Sequence, residues 1–260
     1  MKPKFGFKAV NLGVMLALLV LSCALPSGSV QAETEATFNV TKTADTNDGT
    51  CSPTDCSLRE AIIAANATAA ADTINLPAGA YVLSIAGADE ELAATGDLDV
   101  TRPLTLTGAG RGTTSIDGAD LDRVFDIYFP AGTVSISGVT IKNGTTLYSG
   151  GCLQAGNPTL TLTNTALTDC VSSMDGGGLY LSSSTVTIDR SVIKNNAGIG
   201  THCNGGGIYA ANTNLTITNS QVSNNSASHS GGGVFVSNDA ATSFSMTSSL
   251  VNDNFSITEI

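Results

Sequence analysis

The sequence predicts an all-β chain wound as a right-handed parallel β-helix, with three short strands to a coil and a short capping helix ahead of the coils. Three observations carry this. A glycine-led block recurs as GGCLQA at Gly150, GGGLYL at Gly176, GGGIYA at Gly205 and GGGVFV at Gly231, at spacings of 26, 29 and 26 residues. Between its copies runs a second block: VSISGVTIKNG, LTLTNTALTDC, VTIDRSVIKNN, LTITNSQVSNN and FSMTSSLVNDN. The composition adds a third constraint, because 28 Gly, no Trp and 5% aromatic residues leave only small side chains to stack into a core. Self-similarity at a fixed period of this length marks a repeat architecture.

Taken in chain order, the first element is a leader. Lys2, Lys4 and Lys8 precede the apolar run AVNLGVMLALLVLSCAL, and PSGSVQA closes it with Val30 and Ala32 at the −3 and −1 positions. This pattern reads as a signal peptide over residues 1–32, cleaved after Ala32. A competing lipoprotein-type site ends at Cys23, where Leu21 fits poorly. No second long apolar run follows, so no transmembrane segment is expected. Without the three leader lysines, 8 basic face 22 acidic side chains, a net charge of −14. That charge argues against nucleic acid or an anionic membrane as partner and fits a secreted or surface protein.

Residues 33–90 read as an N-terminal cap. In CSPTDCSLREAIIAAN, Ser57 and Glu60 make a capping box, each side chain satisfying the other's free backbone N–H at a helix start. Leu58, Ala61, Ile62 and Ala65 then fall at i, i+3, i+4 and i+7, which predicts an amphipathic helix from 58 to about 67. A solenoid exposes an apolar end unless something covers it, and this helix is placed to do so. Cys51 and Cys56 stand just ahead, close enough to oxidise into a small loop outside the cell. A zinc site would need two more ligands nearby, and a redox pair has two intervening residues rather than four.

Residues 91–260 read as the solenoid. DTINLPAGAYVLS, the first strands at the end of the cap segment, and then GDLDVTRPLTLTGAG and TTSIDGADLDRVF look like irregular opening coils, and the regular ones follow. In the second block the central apolar residue is Ile136, Leu162, Ile188, Ile217 and Met246, with Val134, Leu160, Val186, Leu215 and Phe244 two before it. Apolar residues two apart describe a strand with alternate side chains inward. Ile141, Leu167, Ile193, Val222 and Val251 lie five after, an odd spacing that demands a bend, and Gly138, Asn164, Arg190, Asn219 and Ser248 occupy it. Asn143, Asp169, Asn195, Asn224 and Asp253 share one register, where stacked amides can bridge successive coils. A propeller blade needs about 40 residues or more, and a leucine-rich repeat its own consensus. The last coil ends close to Ile260, so a longer solenoid is expected to continue beyond it.

FNVTKTADTNDGTCSPTDCSLREAIIAAN resembles the N-terminal segment of secreted bacterial CSLREA-domain proteins. The coils VSNNSASHSGGGVFV and IKNNAGIGTHCNGGGIYA are similar to the repeats of chlamydial polymorphic outer membrane proteins. The resemblance spans nearly all of the chain after the leader and implies a pectate-lyase-like β-helix on the bacterial exterior. It implies no reaction, since one fold hosts many functions.

Lyase chemistry on uronates needs an Arg or Lys base and commonly calcium held by carboxylates, and glycoside hydrolysis needs two placed carboxyl groups. In 134–260 the basic residues are Arg190, Lys142 and Lys194, with the lysines in one register on a solvated face. Asp97, Asp99, Asp117, Asp120, Asp122 and Asp126 cluster near Arg102, Arg111 and Arg123; they read first as turn residues and loop ion pairs, and second as a groove or Ca²⁺ ligands. DTNDG at Asp45 resembles a calcium loop with its glycine one residue early, and His202 and His229 read as separate loop residues. Cys152, Cys170 and Cys203 leave one thiol over, and no pairing follows from their positions. Tyr148, Tyr180, Tyr209 and Phe235 are the candidates for stacking on a sugar. The sequence therefore predicts a secreted or cell-surface β-helix, structural, adhesive or glycan-binding, with no catalytic residues and no cofactor assigned. A polysaccharide lyase or hydrolase is the alternative.

Overall fold

The computed structural model describes residues 34–88, 90–237 and 242–257. The leader and Cys23 lie outside them. The described residues form one compact unit, and no helix among them is long and apolar enough to cross a membrane.

One regular coil shows how the sequence makes the fold. Phe125–Tyr128, Thr133–Ser137, Thr140–Lys142 and Thr145–Thr146 are four successive strands, and each pairs in parallel with its counterpart one repeat later. Stacking the coils yields sheet A (eight strands, through Thr133–Ser137), sheet B (seven, through Thr140–Lys142), sheet C (five, through Thr145–Thr146) and sheet D (six, through Phe125–Tyr128). The two-residue strands of sheet C add a fourth strand to the three expected per coil. The predicted apolar registers are buried from Val134 to Val222, whereas Phe244 and Val251 in the last described coil are exposed. Leu160, Leu162 and Leu167 are fully buried, and so are Val186, Ile188 and Ile193 one coil later. Each inner side chain rests on its own equivalent, so small residues suffice to exclude water.

The corners need left-handed backbone. Gly138, Asn164, Arg190, Asn219 and Ser248 have φ from 48° to 67°, which bends the chain between sheets A and B. Asn143, Asp169, Asn195, Asn224 and Asp253 have φ from 53° to 59° at the next corner. Asn and Asp tolerate this region better than other non-glycine residues, so the five-fold register reflects backbone geometry. Two of these residues also bridge coils: Asn143 Nδ2 donates to Asp117 Oδ1 (2.9 Å) and Asn195 Nδ2 to Asp169 Oδ1 (3.0 Å).

The continuous amide ladder lies one residue further on, which corrects the expected register. Asn196 Nδ2 donates to Asn225 Oδ1 (3.0 Å), and Asn225 Nδ2 to Asn254 Oδ1 (2.9 Å). Their oxygens also accept the backbone N–H of Cys170, Asn196 and Asn225 in turn. Asn196 and Asn225 are buried, whereas Asn195 and Asn224 are exposed. Adjacent residues at a corner point to opposite sides, so one step along the sequence exchanges core for solvent.

The glycine triplet follows from the ladder. Gly205 turns the chain at φ 69°, and a Cβ on Gly207 would stand 2.9 Å from the Asn225 amide nitrogen. The third triplet position thus faces the ladder position, 18 residues later at Gly178 and Gly207 and 21 later at Gly233. Cys152 and Cys170 replace this Gly–Asn pair in an earlier coil and are joined as a disulfide, with Cα atoms 5.3 Å apart. Cys203 is buried and unpaired.

Helix α1 (Leu58–Asn66) contacts Thr37–Asn39 and Asp72–Leu76 of sheet A and Leu98–Val100 of sheet D, the first strands of the stack. Leu58, Ala61, Ile62 and Ala65 are buried there. The strand Asp72–Leu76 pairs with Leu104–Gly108, so cap and coils share one sheet.

Candidate functional site

Four charged side chains of the cap, Lys42, Asp45, Arg59 and Glu60, tie helix α1 to the segment before it. Ser57 and Glu60 form both arms of the capping box. Glu60 also accepts Thr46 Oγ1 (3.1 Å) and the N–H of Asp48 (3.2 Å), and Lys42 lies 3.6 Å away. Burial works against its charge, yet these donors hold its carboxyl down at about 2. Arg59 is fully buried, and its guanidinium meets Asp45 through Nε (2.7 Å) and Nη2 (3.1 Å). Burial likewise opposes the Asp45 charge, but Arg59 and the N–H groups of Ser84 and Ile85 keep it below the ordinary carboxylate range. The residues read as a possible calcium loop therefore receive the SLRE segment. Cys51 and Cys56 are joined as a disulfide beside it, with Cα atoms 4.2 Å apart.

The acidic residues are divided by the fold. Asp117 closes the strand Thr114–Asp117, accepts the N–H of Ala119 and pairs with Lys142 (3.0 Å), and Asp120, in the turn that follows, accepts Thr145 Oγ1 (3.1 Å). Arg102 and Arg111 lie elsewhere, with Arg111 Nη1 donating to Arg190 O (3.0 Å). Asp97, Asp99 and Asp126 converge, so that one oxygen from each lies within 4.8 Å of the others. Arg123 pairs with Asp97 (3.2 Å) and Asp126 (2.9 Å), and Asp122 lines the same groove of about 450 Å³.

Here the charges are poorly compensated. Burial, then repulsion from Asp99 and Asp122, pushes Asp97 up to about 8 against the pull of Arg123. Burial also raises Asp99 to about 7, although its Oδ2 accepts the N–H of Ala93 (2.7 Å). Asp126 is raised by burial as well, and its Oδ1 has no hydrogen-bond partner among the described residues. Carboxyl groups shifted this way in a groove are the usual mark of a functional site. Calcium fits less well than the three oxygens suggest, because the Arg123 guanidinium already bridges Asp97 and Asp126.

Strand register extends the site along sheet D. Asp99, Asp126, Gln154, Tyr180, Tyr209 and Phe235 stand in one outer column, each beside the next. Tyr180, Tyr209 and Phe235 stack face to face, with centroids 5.3 and 5.4 Å apart. Their faces cover one another and leave mainly edges outward. Tyr148 is 49% exposed on the groove wall near Gln154, and among the described residues it stacks on no other ring. The coil register also brings His202 and His229 together, with ring centroids 5.9 Å apart. Sequence reasoning missed Arg59 and Asp45, whose signal was a basic residue beside the capping box and an acid in the preceding loop.

Residues 122–255 match the family described as the right handed beta helix region. The match covers more than half of the chain, and the chain belongs to that family. No curated protein matches it. Among solved structures it is similar to the crystal structure of pectate lyase Pel9A, at 16% identity over 87% of this chain and 79% of that one, with a TM-score of 0.34.

Proposed function

We propose that this β-helix works outside the cell as a glycan-binding surface or matrix protein, and that the glycan lies in the groove beside sheet D. The observation that carries the reading is the pairing of the exposed Tyr148 ring with Asp126, Arg123 and Gln154 in one groove. A flat apolar ring suits a sugar face, and convergent carboxylate, guanidinium and amide groups suit its hydroxyls. The charge of −14 favours a neutral glycan over a polyanion. The leader pattern and two disulfides fit an oxidising compartment, and the resemblance to CSLREA-domain proteins and to polymorphic membrane protein repeats fits a bacterial exterior.

A hydrolase is the second reading, favoured by one observation. Asp97, raised to about 8, stays largely protonated at neutral pH beside Asp126, as a general acid must. Affinity electrophoresis against neutral and acidic polysaccharides, with and without Ca²⁺, tests both readings. Binding to a neutral glycan that weakens about tenfold, or ~1.4 kcal/mol, in Tyr148→Ala supports the first. Binding to none, or binding indifferent to Tyr148→Ala and Gln154→Ala, sinks it. New reducing ends from a neutral glycan, lost in Asp97→Asn, would replace it with the hydrolase. Unsaturated product from pectate with Ca²⁺ would replace it with the lyase.

A further inference from the structure

We propose that the capping helix is also the positioning element of the groove: Arg59 and Asn66 hold the backbone of Asp97 and Asp99 and thereby set the spacing of the carboxyl cluster. This rests on the groove being the binding site. Arg59 and Asn66 are seven residues apart on α1, hence on one side of the helix. After Asp45, the remaining guanidinium donors go to three carbonyls of one loop: Ala93 (2.9 Å), Gly96 (2.8 Å) and Asp97 (3.1 Å). Asn66 Nδ2 donates to Asp99 O (2.7 Å), and its Oδ1 accepts the N–H of Thr101 (2.9 Å). The grip reaches the side chain of Asp99 as well. Ala93, whose carbonyl Arg59 holds, donates its own N–H to Asp99 Oδ2.

The loop needs holding. Ala93 has φ 57° and Gly96 φ 59°. Alanine has no polar group to favour the left-handed region, so neighbouring contacts must impose it. A helix that only covered the apolar end would need its Leu58, Ala61, Ile62 and Ala65 stripe and nothing more. The polar residues on α1 instead reach the two strand-end segments that carry the acids.

The test compares two changes in the same cap. Asn66→Ala removes the grip on Asp99, whereas Thr68→Val removes the hydroxyl bonds to Asp72 and to the Ala65 carbonyl, which do not touch the groove. Side-chain ¹³C titration follows Asp97 and Asp99 in the folded full chain, and affinity electrophoresis follows the neutral glycan. In Asn66→Ala the Asp99 midpoint should fall by about one unit toward the ordinary carboxylate value, and glycan affinity should fall about tenfold. Thr68→Val should lower the melting temperature and leave both readings unchanged. Equal effects of the two variants, or an unmoved Asp99 midpoint, overturn the proposal. Should Asn66→Ala fail to fold, Asn66→Gln, which shifts the amide by one methylene, carries the same comparison. If the wild type binds no glycan, the binding reading fails and the titration alone decides the positioning role.

Discussion

The cap and the groove both bury acidic side chains beside an arginine, and the two sites treat them in opposite ways. In the cap, Asp45 and Glu60 receive several N–H donors each, and their carboxyls are held below the ordinary range. At the groove, Asp97 and Asp126 pair with Arg123 while Asp99 lies buried within 4.8 Å of both, and all three are raised. Burial disfavours charge at both places. What differs is the number of donors aimed at each carboxyl. A satisfied charge cluster fixes structure, while an under-satisfied one keeps free bonding capacity for something that binds.

The largest effect should come from breaking the satisfied cluster. Arg59→Met leaves Asp45 buried without its partner and three carbonyls without donors, which should cost about 3–5 kcal/mol. A melt within a degree or two of wild type would mean that the cap does not depend on this ion pair.

The pH dependence separates the two regions next. Asp97 holds its proton in the folded state up to about 8 against an ordinary 3.8. The folded chain therefore binds more protons than the unfolded one between those values, and stability should fall as pH rises through that window, by at most about 1.4 kcal/mol per pH unit. Asp97→Asn should flatten this slope. Glu60 runs the other way, since its stabilisation is present above its ordinary value of 4.5 and is lost as pH falls toward about 2. Chemical denaturation at pH 5 and pH 8 that shows equal stability would remove the raised carboxyls from the account.

Smaller effects sharpen the contrast between inside and outside at one corner. Asn225→Leu breaks the buried ladder and should cost about 1–3 kcal/mol. Asn195→Leu, exposed at φ 57°, should cost about 1 kcal/mol through backbone strain and one lost surface bond. Thermal melts that reverse this order would return the ladder to the outer register. Peptide mapping without reduction should find Cys51 with Cys56, Cys152 with Cys170, and Cys203 free.

The regular coils were legible because each strand's inner residues repeat at one spacing. The helix was legible through Ser57, Glu60 and its apolar stripe. The ladder was misplaced by one residue, because Asn or Asp fills the outer corner in all five copies while the inner position carries Asn in three. The Cys152–Cys170 pair was within reach, since these cysteines stand where Gly207 and Asn225 face each other. The groove was hidden among nine charged residues between Asp97 and Asp126, which the uneven opening coils sort into different places.

The sequence by itself determined the β-helix and its cap, because both depend on short-range patterns: alternation along a strand, an αL residue at a corner, a capping box four residues long. Only the tertiary structure decided which acids come together, that Cys152 pairs with Cys170 and what Arg59 holds. Cys152 and Cys170 lie 18 positions apart, and the groups that Arg59 holds lie 14 to 38 positions from it. Their meeting depends on how far each irregular turn carries the chain before it returns to register, and no local pattern records that distance.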